Sequence, residues 1–266
     1  MHHPCIVTIA GSDSGGGAGI QADLKTMTVL GGFGMSVIAA LTAQNGLGVT
    51  GIHAVPPEFV RLQLDTVLEG FPVAAAKTGM LFSAPVIECL ADALAHKNFP
   101  LVVDPVCVSQ TGHRLLQESA IESLCSRLLP LADLLTPNRP EAELLTGMSI
   151  LTEADVALAG QKLLARGAKA VLIKGGHFDD AADQLIDWLC LPGAAPKDLS
   201  QPRVDTVNNH GTGCTLSAAI AVFLGFGQNL ESAVVHAQNY LNLCLTRSYT
   251  PGKGVGPVNH AAPYSA

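Results

Sequence analysis

Val207-Asn208-Asn209-His210-Gly211-Thr212-Gly213-Cys214-Thr215 is followed by an alanine-rich run through residue 221, so a glycine turn leads directly into a helix. The first N–H groups of a helix have no acceptor within it and lie at the positive end of its dipole, so they bind anions. Glycine at both turn positions lets a phosphoryl group approach the backbone. The stretch predicts an anion site at residues 211–214. A glycine-rich helix start without a ligand is the alternative.

Cys214 lies at the mouth of this expected anion site. The positive end of a helix dipole lowers the pKa of a thiol and favours its thiolate. We therefore expect Cys214 to act as a base or a nucleophile. The alternative is that it is a small buried hydrophobic residue.

Strand-like and helix-like segments alternate along the rest of the chain. This pattern is typical of a mostly parallel sheet with helices on both faces. The 266 residues are 48% hydrophobic and show no composition break, which suits one large core. We predict a single α/β domain over residues 1–266, with strands at 5–10, 35–43, 73–77, 101–106, 132–136 and 170–174 and an edge hairpin at 184–191 and 203–207.

Polar and glycine residues follow the predicted strands. The carboxyl ends of parallel strands share one edge of an open sheet, where ligands bind, so these groups should meet there. The clustering favours an enzyme. The groups are Gly11 to Gly19, Gln44, Lys77 to Met80, Asp104, Asn138 to Glu141, Lys174 to His177 and Gly211 to Cys214.

The glycine run at residues 15–19 raises the alternative of a dinucleotide site. Its spacing differs from G-x-G-x-x-G, and no acidic residue ends a second strand about 20 residues later. The sequence also has no G-x-x-x-x-G-K-[ST] phosphate loop. Phosphate binding must therefore use a different cradle.

Oxygen-bearing side chains at two strand ends suit Mg²⁺. Asp104, Asn138 and Glu141 offer hard ligands, directly or through water, beside substrate phosphates. Taken singly, Asp104 also fits a turn and Glu141 the first turn of a helix. Lys174 ends an apolar strand, where a lysine without a partner is costly, so we expect it to contact a phosphate. Its alternative is a lysine that reaches solvent.

Two histidines and one aspartate lie near the same edge. His177 and His210 lack the spacing of a zinc site, and we interpret both as packing or supporting residues. Asp23 lies in the first predicted helix. It either accepts a hydrogen bond from a ligand hydroxyl or is a solvated helix acid.

Charge and cysteine content limit the partners. The net charge of −7 and the pI near 5.6 argue against nucleic acid and anionic membranes, so an anionic ligand must be held locally. Seven cysteines are scattered singly, which favours reduced thiols over disulfides or structural zinc. No apolar run approaches the roughly 20 residues of a membrane span, and no signal peptide is recognisable. We expect a soluble, cytoplasmic protein.

Seven motifs lie in order along nearly the whole chain: Ala10 to Lys25, Thr42-Ala43-Gln44-Asn45, Lys77-Thr78-Gly79-Met80-Leu81, Asp104-Pro105-Val106, Thr136 to Glu141, Lys174-Gly175-Gly176-His177 and His210 to Thr215. Together they resemble the hydroxymethylpyrimidine/phosphomethylpyrimidine kinases of thiamine biosynthesis, within the ribokinase-like superfamily. An ordered set of motifs is far more specific than one glycine motif.

The resemblance implies a ribokinase-like three-layer α/β/α fold and a homodimer that uses ATP and Mg²⁺. The implied reaction is phosphorylation of 4-amino-5-hydroxymethyl-2-methylpyrimidine and then of its monophosphate. By this resemblance Gln44 reads the pyrimidine edge, Lys174 touches an ATP phosphate, and the region of Asp104 and residues 138–141 organises Mg²⁺. The implied pocket residues are Gly11, Ala18, Asp23, Met80 and Val106, and the implied anion hole is Gly211, Thr212, Gly213 and Cys214.

One position departs from the family pattern. The family often has a lysine where this chain has Gln110, which bears on how the second, already phosphorylated substrate is held. Two alternatives remain: a pyridoxal/pyridoxine kinase of the same fold, and a catalytically silent vitamin-binding protein. The amide of Gln44 matches an aminopyrimidine edge better than a pyridine ring.

Overall fold

The computed structural model describes residues 3–107, 115–175 and 183–265. Within these ranges, nine strands form one continuous sheet in the order β3-β2-β1-β4-β5-β6-β7-β8-β9. The strands are β1 Cys5–Asp13, β2 Phe33–Asn45, β3 Gly48–Ala54, β4 Val73–Thr78, β5 Leu101–Val103, β6 Leu134–Leu135, β7 Val171–Ile173, β8 Gln184–Cys190 and β9 Lys197–Pro202.

The six strands from β2 to β7 in this order pair in parallel, and antiparallel strands close both ends of the sheet. The helices are α1 Gly19–Val29, α2 Pro57–Gly70, α3 Ala84–Leu94, α4 Glu118–Ser123, α5 Arg139–Thr146, α6 Glu153–Ala165, α7 Thr212–Gly225 and α8 Leu230–Thr246. A π-helical turn at Leu124–Leu128 continues α4, and short 3₁₀ turns lie at Leu129–Leu131 and Ala262–Tyr264.

Two apolar clusters cover the two faces of the sheet. One joins alternate strand residues to the buried sides of α2 through α6, and the other joins the opposite strand residues to α1, α7 and α8. The predicted α/β class and three-layer arrangement are therefore confirmed. The strands contribute side chains to both apolar clusters, because successive side chains point to opposite faces of the sheet, as those of Ile6 and Val7 in β1 do.

The edge hairpin differs from the sequence prediction. Its first strand lies where expected, but the second is β9, Lys197–Pro202, and not residues 203–207. β9 is an edge strand, and Leu199 is its single buried apolar residue, so the sequence shows only a weak apolar pattern there. Val207, which suggested a strand, is exposed.

The loops after the parallel strands position the site. β1 shifts its register against β2 between Ala10 and Gly11, which breaks the regular strand at the cavity edge. Helix α5 starts with a capping box, in which Asn138 and Glu141 each bond the other's backbone N–H. Within the described ranges, no helix has the length and apolar character needed to cross a membrane.

Candidate active site

A cavity of about 370 Å³ opens at the carboxyl ends of the parallel strands. It is lined by most of the residues that the sequence singled out, namely Gly11, Ala18, Gln44, Met80, Asp104, Val106, Asn138, Glu141, Lys174, Gly211, Thr212, Gly213 and Cys214. These thirteen residues therefore gather at one sheet edge. Their individual roles in binding and catalysis remain predictions.

Gly211 makes the turn that starts α7. Its φ is +83°, and a Cβ there would lie 1.9 Å from the carbonyl oxygen of Gly17, so the position accepts only glycine. Thr215 donates its N–H to the Gly211 carbonyl at 2.9 Å, which closes the first turn of the helix. The N–H groups of the preceding positions lie at the positive end of α7 beside the cavity.

An ion pair lies against this first turn. Lys174 Nζ is 3.0 Å from Asp104 Oδ1, and both side chains are largely buried. A Cβ on Gly213 would lie 3.3 Å from Lys174 Nζ, so the missing side chain leaves room for the ammonium group beside the backbone. Burial lowers the pKa of Lys174, but the carboxylates of Asp104 and Glu141 outweigh it and hold the pKa above its ordinary value. The site therefore keeps a permanent cation next to the helix start.

Val106 lies in the cavity wall and has an unusual backbone conformation. Its φ is +39°, which is rare for a β-branched residue and stores strain. Strain of this kind concentrates at ligand sites. This geometry distinguishes Val106 from an ordinary apolar lining residue.

The three residues predicted to hold magnesium differ in how far their oxygens are already engaged in hydrogen bonds. The Asn138 side-chain oxygen accepts the Glu141 N–H at 2.9 Å, and Glu141 accepts the N–H groups of Asn138 and Cys107 at 2.9 and 3.1 Å. Burial raises the pKa of Glu141, against the opposing effect of Lys174. Among the described residues, no three His, Cys, Asp or Glu side chains form a ready metal cluster. The donors fit Mg²⁺ held through water by Asp104 and Glu141, whereas Asn138 serves as the helix cap.

The structure corrects the expected state of Cys214. Burial raises the pKa of its thiol to about 12, against the opposing charge of Lys77 and an N–H from Gly19. A helix dipole contributes at most about 2 kcal/mol, whereas a shift of three pKa units corresponds to about 4 kcal/mol. Burial therefore prevails, and Cys214 is a protonated thiol at neutral pH in the resting protein. The thiolate expected from the sequence is wrong for this state.

Asp23 is a second correction. It does not line the cavity, because its carboxylate is fully buried between Lys77 Nζ, 3.1 Å from both carboxylate oxygens, and the Thr8 hydroxyl at 2.6 Å. Lys77 is equally buried, yet the charge of Asp23 holds its pKa above the ordinary value. The pair lies beneath the site as an internal ion pair. Residues 54 positions apart form it, so helical periodicity could not reveal it.

Asp13 organises the glycine-rich loop, a role that sequence reasoning missed. Its carboxylate accepts the N–H groups of Gly15, Gly17 and Ala18 at 2.8 to 3.0 Å. The bond to Gly15 is an Asx turn, and an aspartate two residues before a glycine run is its sequence signal. Burial raises the pKa of Asp13, but these N–H groups and His210 outweigh it, so the net pKa lies below its usual value.

The same carboxylate reaches the glycine turn of α7. His210 Nε2 lies 3.0 Å from Asp13 Oδ2, so one aspartate joins two loops 197 residues apart. The His210 ring packs on Gly17, where a Cβ would approach it to 2.4 Å. His210 Nε2 also lies 3.4 Å from the Gln44 side-chain amide. His210 is thus a supporting residue in contact with the predicted pyrimidine reader.

The C-terminal segment holds this arrangement from behind. The His210 N–H bonds the Gly256 carbonyl at 3.1 Å, and the Val258 N–H returns to the His210 carbonyl at 3.4 Å. Farther along, buried His260 places Nε2 3.1 Å from the Thr215 hydroxyl in the first turn of α7. Tyr240 donates its hydroxyl to the His260 carbonyl at 2.7 Å.

Some residues of the sequence analysis lie outside the described ranges. They are Gln110, which replaces the family lysine, and His177 at the end of the Lys174 motif.

The comparisons with known proteins identify the family of this chain. The family model for phosphomethylpyrimidine kinase matches residues 13–259. A hydroxymethylpyrimidine/phosphomethylpyrimidine kinase of Haemophilus influenzae is 48% identical, covering 97% of this chain and 96% of that protein. A thiamine biosynthesis bifunctional protein of Geobacter sulfurreducens is 49% identical over 96% of this chain, which spans 52% of that longer protein.

A solved structure shares the whole fold. The ADP complex of Bacillus subtilis pyridoxal kinase superimposes with a TM-score of 0.90 at 34% identity, covering 99% of both chains. The ribokinase-like arrangement expected from the motifs is confirmed by this likeness. The family match spans nearly the entire chain, so this chain belongs to the phosphomethylpyrimidine kinase family.

Proposed function

We propose that the protein transfers the terminal phosphoryl group of ATP to the hydroxymethyl group of 4-amino-5-hydroxymethyl-2-methylpyrimidine, and then phosphorylates the monophosphate. The observation that carries the proposal is that one cavity contains the α7 helix start, the Lys174–Asp104 pair and the amide of Gln44. Phosphoryl transfer needs positioning and charge stabilisation more than covalent help, and these groups supply both.

Each end of the cavity has a proposed task. The N–H groups at the start of α7 hold the oxygens of the transferred phosphoryl group, while Lys174 balances the charge on the nucleotide. The amide of Gln44 offers a donor and an acceptor to the aminopyrimidine edge. Asp104 and Glu141 would hold Mg²⁺, which would neutralise charge on the phosphates.

Cys214 is the proposed base for the hydroxymethyl proton. Because its thiol is protonated at neutral pH, only the small thiolate fraction can accept this proton. A loose transition state delays proton removal until the new P–O bond forms, so a base is needed late. Catalysis therefore depends more on the helix start and Lys174 than on the base.

ADP formation with the hydroxymethylpyrimidine tests the function directly. We expect turnover with wild type and a large loss with Lys174→Met, because the charge on the phosphates then lacks its cation. Cys89→Ala is a matched control for Cys214→Ala, since the Cys89 thiol bonds the Pro57 carbonyl away from the cavity. Absence of ADP with any pyrimidine alcohol would contradict the proposal, and unchanged turnover in Cys214→Ala would remove the base assignment.

Pyridoxal phosphorylation is the second candidate, favoured by the TM-score of 0.90 with a pyridoxal kinase. The relatives closer in identity, such as the 48% identical Haemophilus influenzae protein, are named for the pyrimidine. Competition between the two alcohols at saturating MgATP distinguishes the candidates. Calorimetric binding without ADP formation would instead indicate a silent vitamin-binding protein.

The second phosphorylation tests the Gln110 substitution. We expect it to be slower than the first, since a neutral amide replaces a cation that could hold the substrate phosphate. Gln110→Lys should raise the diphosphate-to-monophosphate product ratio. An unchanged ratio would show that position 110 does not hold this phosphate.

We also propose that the protein is a cytoplasmic homodimer, as the family resemblance implies. Exposed apolar side chains such as Phe59 and Leu62 on α2 offer surface for such a contact. Sedimentation velocity at micromolar concentration tests the oligomeric state. A monomer at these concentrations would refute the dimer.

A further inference from the structure

The side-chain amide of Gln44 lies between two polar groups whose hydrogen positions are determined by other partners. In the structure its Oε1 lies 3.1 Å from Thr42 Oγ1 and its Nε2 lies 3.4 Å from His210 Nε2, and a 180° turn of the amide exchanges these two atoms. The backbone of Gln44 is fixed separately, because Ser14 Oγ bonds both its N–H and its carbonyl at 2.8 Å. The remaining freedom of Gln44 is therefore the orientation of its amide.

Asp13 determines the hydrogen on His210. The carboxylate is ionised and can only accept, and it lies 3.0 Å from His210 Nε2, so this nitrogen must carry a hydrogen. An Nε2–H group repels an NH₂ group and attracts an oxygen. The hydrogen bonding therefore favours the carbonyl oxygen of Gln44, and not its nitrogen, at the position that faces His210.

Thr42 gives the same answer independently. Its single hydroxyl hydrogen is directed to the Ser12 carbonyl at 2.8 Å, which leaves Thr42 Oγ1 as an acceptor toward Gln44. An acceptor attracts the NH₂ group of the amide. Both neighbours therefore favour the turned amide, with the oxygen toward His210 and the nitrogen toward Thr42, over the orientation drawn in the structure.

We propose that Asp13, His210 and Thr42 are positioning residues that lock the Gln44 amide in this orientation and so determine which heteroaromatic ring the site accepts. The proposal rests on the proposed function for the identity of the reaction. One N–H and one oxygen lone pair of Gln44 remain for a ligand, at defined places. A ring with an amino group beside an acceptor nitrogen matches this fixed pattern. Its oxo analogue, with donor and acceptor exchanged, requires the opposite amide orientation.

The test compares the aminopyrimidine alcohol with its 4-oxo analogue. Wild type should prefer the amino compound in kcat/KM, and Thr42→Val, which removes the acceptor at nearly constant volume, should reduce this preference about tenfold. His210→Phe should have a similar effect, since it removes the N–H but keeps a ring against Gly17. The change should appear in KM, because the lock acts on ring binding and not on the transferred phosphoryl group.

Two variants separate positioning from general damage. Thr42→Ser keeps the hydroxyl and should restore the preference. Thr50→Val is a matched control on β3, where the Thr50 hydroxyl bonds the Ala43 carbonyl outside the network, and it should leave both activities unchanged. Equal losses for the two alcohols in Thr42→Val and His210→Phe, or a wild type without preference, would overturn the proposal.

The same comparison works without catalysis. Dissociation constants of the two alcohols, measured by calorimetry in the absence of ATP, should show the same loss of preference in Thr42→Val. If wild type phosphorylates neither compound, the proposed function fails, while these constants still decide whether the amide lock exists.

Discussion

Replacing His260 should remove a defined part of the protein's acid sensitivity. His260 is 6% exposed, and its Nε2 lies against the Thr215 hydroxyl at the start of α7. Burial, with a smaller effect of Lys25, lowers its pKa from 6.5 to about 4. The folded protein therefore resists protonating a histidine that the unfolded chain protonates readily.

The sign and size follow from these two pKa values. Between pH 6.5 and pH 4 the unfolded chain binds the extra proton, so the free energy of unfolding falls as the pH is lowered through this window. The full loss is about 3 kcal/mol, since each pKa unit corresponds to about 1.4 kcal/mol. At pH 5, one and a half units below the ordinary value, about 2 kcal/mol should already be lost.

Urea unfolding followed by circular dichroism at pH 8 and pH 5 measures this loss. His260→Gln keeps a polar partner for Thr215 but does not titrate, so the other titrating groups contribute equally to both proteins. We expect wild type to lose about 2 kcal/mol more than the variant between the two pH values. Parallel losses in wild type and variant would refute the assignment of a buried, neutral His260.

Three further predictions concern the site and its support. Lys77→Met should destabilise the fold by about 3–5 kcal/mol, because it leaves the carboxylate of Asp23 buried without its partner. In urea unfolding, the double variant with Asp23→Asn should lose less stability than the sum of the two single variants. Additive losses would mean that the pair is uncoupled. Gly211→Ala should cost about 2–5 kcal/mol from left-handed strain plus the clash with the Gly17 carbonyl of the glycine-rich loop, whereas Gly227→Ala, with φ +81° and open space, should show the strain alone at about 1–2 kcal/mol. Equal losses would exclude the clash. If Cys214 is the base and its pKa is raised to about 12, kcat/KM should rise about tenfold per pH unit between pH 7 and pH 9. This slope should vanish in Cys214→Ala. A plateau of kcat/KM near pH 7 in wild type would contradict the raised pKa.

Local patterns predicted the parts of the site that depend on neighbouring residues. Apolar runs located the parallel strands, and glycine or polar residues directly after them located the cavity wall, as at Gly11, Asp104 and Lys174. The capping box of Asn138 and Glu141 is also readable from its three-residue spacing. Predicting the cavity residues needs only the rule that ligands bind at the carboxyl ends of parallel strands.

Features that depend on distant residues could not be predicted in this way. The Lys77–Asp23 pair and the Asp13–His210 contact join residues far apart in the chain, so no local spacing encodes them. The thiol of Cys214 shows the same limit, because the helix dipole is a local effect and burial is a tertiary one. The sequence did not predict the edge strand β9 because an edge position needs few apolar residues.

The contact of His210 with the Gly256–Val258 segment on one side and with Asp13 on the other has a consequence for synthesis on the ribosome. A nascent chain that ends before residue 256 has the glycine loop and helix α7 but lacks the backbone partners that hold the histidine. Substrate binding should therefore develop only after translation has passed that point. A series of stalled nascent chains of increasing length would reveal when the pocket matures.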